Sequence, residues 1–155
     1  MEEEKQLWKG CSDGKVEEVQ KLLENSKLDM NWQNEFQYSQ TPFYIACYNG
    51  RIDIVKLLLN DQRIDVNKSE KAGWTPFYGA CLNGHLEIVK MLLNDERVDI
   101  NKADNSSWTP LSIACEKGHI EIVKLLFNDK RVDINQTTSG GLTHFLVACY
   151  FGQIV

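Results

Sequence analysis

The segment Trp74–Asn101, WTPFYGACLNGHLEIVKMLLNDERVDIN, recurs almost letter for letter at Trp108–Asn135, WTPLSIACEKGHIEIVKLLFNDKRVDIN. A unit this short cannot enclose a core of its own, so a chain that repeats it must bury its apolar residues by stacking one copy on the next. Thr41, Thr75, Thr109 and Thr143 follow one another at intervals of 34 residues. Cys47, Cys81, Cys115 and Cys149 keep the same period, and Cys11 lies 36 residues ahead of the first of them. Asn31, Asn67, Asn101 and Asn135 mark the unit ends. The period divides the chain into a divergent first unit (2–36), three full units (37–70, 71–104 and 105–138) and a partial fifth (139–155).

Local signals name the elements inside a unit. Thr followed by Pro is a helix start, because the hydroxyl caps the first turn and proline lacks an N–H that would in any case find no partner. The spacing predicts a short helix from Pro76 to Asn83, ended at Gly84 as its counterparts are at Gly50 and Gly118. A second helix starts near Leu86, with Leu86, Val89, Leu92 and Leu93 on its apolar face and the Glu87/Lys90 pair outside. The polar stretch from Asn101 to Ser107 reads as a hairpin tip leading to the next Thr-Pro.

The strings Thr41-Pro-Phe-Tyr-Ile-Ala46, Thr75-Pro-Phe-Tyr-Gly-Ala80 and Thr109-Pro-Leu-Ser-Ile-Ala114 resemble the ankyrin repeat, a β-turn plus two helices opening on Thr-Pro-Leu-His-x-Ala. The likeness continues through NGHLEIVKMLLN and VDIN and covers almost the whole chain. It implies an all-α fold, a solenoid of helix pairs with β-hairpin or turn tips, about four and a half units long. It further implies a non-catalytic adaptor, scaffold or inhibitor that uses no cofactor and takes a protein or peptide on a concave groove and the tips. The sequence departs from the pattern where Tyr44, Tyr78, Ser112 and Leu146 replace the motif histidine, so its bond back to Thr must be lost or remade. The first unit lacks Thr-Pro and opens with acidic residues, a polar front suited to a cap.

The totals exclude other classes. A net charge of −5 disfavours a nucleic-acid partner, whose phosphates demand clustered Lys and Arg. No apolar run reaches the roughly 18 residues that cross a bilayer, and the acidic opening lacks the apolar core of a secretory leader. The expected location is the cytoplasm, with the nucleus as the second choice. The expected state is a monomer unless an exposed C-terminal face self-associates. A regulatory segment of a longer enzyme and a purely structural spacer are the competing readings.

Candidate chemistry dissolves into the register. One cysteine per unit at an Ala-like position is a small apolar filler, and stacked helices stand about 8–10 Å apart, too far for a disulfide. His85 and His119 follow Cys81 and Cys115 by four residues, but a glycine intervenes and no further ligands converge on them to hold a metal. Asp61/Arg63, Asp95/Arg97 and Asp129/Arg131 read as turn carboxylates and inter-unit ion pairs. The aromatics differ, because large rigid side chains dominate binding surfaces. Trp74 and Trp108 precede Thr-Pro, while Phe36 and Tyr38 sit in a first tip two residues longer than the others. Tyr48 and Asn49, Leu82 and Asn83, and Glu116 and Lys117 end the first helices on the groove side. These ten residues are the candidate partner-binding set. If the cysteines serve packing alone, thiol titration in denaturant without reductant should return all five; a recovered intramolecular disulfide would contradict the register.

Overall fold

The computed structural model describes residues 1–137 together with Gly140, Gly141 and Thr143. Among them eight helices form four pairs: α1 (Glu2–Asp13) with α2 (Val16–Leu23), α3 (Pro42–Tyr48) with α4 (Ile52–Leu59), α5 (Pro76–Leu82) with α6 (Leu86–Leu93), and α7 (Pro110–Lys117) with α8 (Ile120–Asn128). Among the described residues, extended pairing is confined to isolated bridges, Asn34 with Gln40 and Thr137 with Thr143. The chain is therefore an all-α repeat stack, as read. First helices pack on first helices, and second helices form a parallel row behind them.

The Thr-Pro signal works as its chemistry requires. Thr41, Thr75 and Thr109 are extended N-caps whose hydroxyls accept the backbone N–H of Tyr44, Tyr78 and Ser112. In the fourth unit the bond is reciprocated, since Thr109 N–H donates to Ser112 Oγ at 2.7 Å and closes a capping box. Tyr44 and Tyr78 cannot reach back in this way, so their rings are free for other contacts. The corresponding position in the fifth unit, Leu146, lies outside the described residues.

At the turn between paired helices, Gly84 takes a φ of 74°, and a Cβ there would stand 2.6 Å from the His119 ring. That imidazole reaches back to the carbonyl of Leu82 at 3.0 Å, as His85 reaches Tyr48 O at 2.9 Å. The histidines thus tie neighbouring units and leave the adjoining cysteines alone. The left-handed backbone ends the helix and the missing side chain admits the histidine, and glycine meets both needs.

Stacking buries a continuous apolar ladder. Leu58, Leu92 and Leu126 have no exposed surface. Leu22, in register with them in the first unit, is only half-buried, because α2 has a second-helix neighbour on one side alone. One expectation needs correction. In α6, Ile88 is buried while Leu86 is half-buried, so the buried face is Ile88, Val89, Leu92 and Leu93; the first residue of the helix falls at the edge of the stack. The fourth unit shows what stacking contributes: Phe127 is 41% exposed where its register mate Leu93 is 8% exposed.

The charged ladder also needs correction. Each ion pair lies within one turn, with Arg97 Nη2 2.6 Å from Asp95 Oδ2, and does not join two units. Hydrogen bonds from Arg97 hold the Asp95 carboxyl below its ordinary range. The guanidinium so aligned donates backwards, Arg97 to Leu59 O at 2.9 Å and Arg131 to Leu93 O at 2.8 Å. Those carbonyls end α4 and α6, where helix acceptors lack partners and a cation suits the dipole. The arginine of one unit therefore caps the helix of the unit before it.

Asparagine supplies a second link. Asn67 donates to Arg97 O at 2.7 Å and accepts from Asp99 N–H at 2.8 Å, and Asn31 and Asn101 make the same pair of bonds. Only an amide offers donor and acceptor at this spacing. Truncating a fully packed leucine costs about 2–5 kcal/mol, whereas trimming an exposed helix lysine costs at most about 0.5 kcal/mol. Urea melts should therefore show Leu92→Ala far below Lys90→Ala in midpoint; equal midpoints would mean that the helix faces the other way.

Candidate functional site

The tips are built on one acceptor each. Asn34, Glu70 and Asp104 occupy equivalent places, and Glu70 and Asp104 pair their backbone N–H with the carbonyls of Trp74 and Trp108 at 3.0 and 2.8 Å. The Asp104 carboxylate accepts the N–H groups of Ser106 and Trp108 at 2.8 and 2.9 Å, and Glu70 likewise accepts those of Ala72 and Trp74. Folding the acid over its own turn satisfies donors that a two-stranded ribbon would otherwise leave to water. Neighbouring tips are joined through Lys71 N–H to Tyr38 O at 2.9 Å and Asn105 N–H to Ala72 O at 3.0 Å. The tips form a bonded row, and each positions the next.

Behind this row lie the aromatic side chains. Trp74 stacks on Tyr78 with ring centres 5.5 Å apart, and both donate to Asp104 Oδ2, the indole at 3.2 Å and the phenol at 3.4 Å. Burial, and then the charge of Asp104, raises the Tyr78 hydroxyl above its ordinary range. It stays a neutral donor. Tyr44 stacks on Tyr48 at 5.7 Å, and both rest against Gly79, where a Cβ would meet Tyr44 Cε2 and Tyr48 Cδ2 at 3.4 Å. Among the described residues the buried Tyr44 hydroxyl has no hydrogen-bond partner.

The candidate residues divide by how much of each is already engaged. Tyr48, Leu82 and Glu116 are half-buried at register positions ending α3, α5 and α7, and Lys117 is exposed beside Glu116. Asn49 donates to Ser12 O at 3.2 Å and Asn83 to Tyr48 O at 3.0 Å, so both amides hold the preceding unit. Trp74 and Trp108 are half-buried and pack against the core margin, and Trp74 has also given its N–H to Asp104. Phe36 and Tyr38 stand apart from these at 90% and 69% exposed. A polar recess of about 540 Å3 adjoins their tip, lined by Gln33, Glu35, Ser39, Glu70 and Lys71.

Sequence reasoning passed over Asp104, Tyr78 and Glu70. The signal was present as an acid four residues before each of Trp74 and Trp108, but the bond it makes to Trp74 crosses 30 residues. Burial pushes the Cys115 thiol up to about 11 and the other described thiols, Cys11, Cys47 and Cys81, higher. At neutral pH they are protonated fillers, poor as nucleophiles. The fifth, Cys149, lies outside the described residues. Among the described residues no three His, Cys, Asp or Glu side chains are placed to share a metal. Nor, among them, is any helix long and apolar enough to cross a membrane.

The paired helices, bonded tips and Thr-Pro caps define a helical repeat protein of the two-helix-and-turn class. A family model described as ankyrin repeats (3 copies) matches residues 7–104, 64–138 and 96–155, and the chain belongs to the ankyrin repeat family. Repeats of this family are generally protein–protein interaction modules and are typically non-catalytic. Comparison with curated proteins finds none that matches. Removing the Asp104 carboxylate leaves two tip N–H groups and two ring donors without their acceptor. Asp104→Ala should therefore cost about 1–3 kcal/mol, read from denaturant melts; an unchanged midpoint would show that the tip closes without it.

Proposed function

We propose that this chain is a non-catalytic adaptor, scaffold or inhibitor that takes a partner protein or peptide along its tips and the ends of its first helices. One observation carries the reading. The tips and first-helix ends are rich in partly or wholly uncovered aromatic and apolar side chains: Phe36, Tyr38, Tyr48, Trp74, Leu82 and Trp108. The second-helix row presents solvated pairs such as Lys90 with Glu87 and Lys124 with Glu121, which add little to affinity or stability, and its exposed apolar side chains, Ile52, Ile120 and Phe127, include no tyrosine or tryptophan. Aromatic anchors on a rigid frame lose little freedom on contact and can each remove about 150–250 Å2 from water.

Within this set the roles differ. Leu82 and Tyr48 supply the apolar centre, Glu116 and Lys117 a polar margin, and Trp74 and Trp108 act partly as the floor that supports it. A pure spacer would tolerate any change at these positions. The test is affinity capture with the wild-type chain and with Leu82→Glu, with thermal melts recorded beside it. Expected is a variant that still folds, melts somewhat below wild type because Leu82 packs on the core margin, and loses its partner by tenfold or more. A folded Leu82→Glu variant that binds as wild type would move the site off the first-helix ends. The Trp74→Ala, Trp108→Ala double variant should lose binding together with measurable stability, because Trp74 also serves the tip.

A further inference from the structure

The first tip has a shape that closing the hairpin does not require. Five residues, Glu35 to Ser39, separate Asn34 from Gln40, where three suffice between Glu70 and Trp74 and between Asp104 and Trp108. The shorter tips use one left-handed residue each, Gly73 or Ser107, whereas the first uses two in succession, Tyr38 at φ 54° and Ser39 at φ 58°. For side chains other than glycine this conformation is unfavourable and persists only when its surroundings impose it. Here they do: Ser39 and Gln37 N–H both donate to Asn34 O, at 3.0 and 2.9 Å, and Gln33 Nε2 donates to Ser39 O at 2.8 Å. Lys71 N–H fixes Tyr38 O from the next tip. The product of this constraint is a Phe36 side chain that is 90% exposed on a bonded loop.

We propose that Phe36, flanked by Tyr38, is a projecting anchor that enters an apolar pocket on a folded protein partner. The proposal rests on the binding-module reading and adds its mode of contact, in which this chain supplies the knob and the partner the hole. An extended peptide lying across the tips can cover one side of such a ring; only a concave pocket surrounds it. The loop's order is set during folding, so little conformational freedom remains to be lost on docking. The recess formed by Gln33, Glu35, Ser39, Glu70 and Lys71 includes Glu35 and Ser39, the chain neighbours of Phe36 and Tyr38. It gives the contact the polar rim that surrounds buried anchors in stable interfaces. Charge argues against a lipid occupant, because Glu35 adjoins the ring and the chain carries a net −5, which an anionic membrane surface repels.

Two measurements on the full chain test this. Phe36→Ser and Tyr38→Asn should melt within about 2 °C of wild type or above it, since neither side chain serves the core and asparagine tolerates the left-handed backbone. A fall of several degrees in both would return these residues to structure and overturn the anchor. In the second, photoreactive benzoylphenylalanine is placed at position 36, and separately at 82, and irradiated in extract of the cells that make the protein. The protein joined through position 36 is then purified and titrated against wild type, Phe36→Ala, Phe36→Leu and Leu82→Glu. Expected is a loss of about 30-fold or more for Phe36→Ala, a much smaller loss for Phe36→Leu, and a crosslinked peptide lining an apolar pocket. Binding that falls only with Leu82→Glu overturns the anchor and leaves the binding module standing. Absence of a crosslink at either position overturns both. Phe36-dependent sedimentation with phosphatidylcholine or phosphatidylserine vesicles replaces the protein pocket with a lipid surface.

Discussion

No unit of this chain can bury its own apolar face, and every other feature follows from that constraint. A second helix of eight or nine residues is too short to be stable alone, so it exists only while neighbouring units cover it. The links between units reflect this dependence. Arginine of one unit caps the helix of the unit before it, asparagine clamps backbone of the unit after it, and histidine crosses a glycine to a carbonyl of the unit before. All three recur at the period of the repeat. The stack is held at regular intervals along its length, with stability shared between neighbours rather than concentrated in one centre.

This economy decides which surface is available for recognition. On the second-helix row, exposed charges pair with their own neighbours a turn away, as in Lys90 with Glu87. The tips and first-helix ends have a different character, because the positions there are free to vary once capping and turn chemistry are met. Residue choice shows that freedom: Ala72 stands in register with Tyr38, and Gln40 with Trp74 and Trp108. The middle of this surface is partly structural all the same. Trp74, Tyr78 and Asp104 form one cluster, in which the exposed edge of an indole is braced by a carboxylate from the following tip. A side chain can hold a tip and face a partner together, and Trp74 is placed to do both.

Much of the fold was legible in the sequence, because its rules are local and repeated. Thr-Pro gives the start of a first helix, the turn glycine gives its end, and a 34-residue interval says that the next unit will do the same. The features that escaped depend on distant contacts or on backbone conformations that residue type alone does not signal. Charges at Asp95 and Arg97 were visible, yet nothing local reveals that the guanidinium ends on Leu59 O rather than on another unit's acid. The replacement of the motif histidine was visible too, but not that Ser112 would rebuild the capping box while Tyr78 turned to Asp104. At the surface, composition singled out Phe36 and Tyr38. It could not show that consecutive left-handed residues hold them outward.

The division between a scaffold consumed by stacking and a surface left for recognition is open to one direct measurement. Saturation mutagenesis of the whole chain, read by the amount of folded protein each variant yields, separates the two without knowledge of the partner. Substitutions at Leu58, Leu92, Leu126, Asn67 and Arg97 should deplete the folded protein. Those at Phe36, Tyr38 and Lys117 should leave it nearly unchanged. Equal depletion in the two groups would mean that the tips and first-helix ends are part of the scaffold, and would contradict the division.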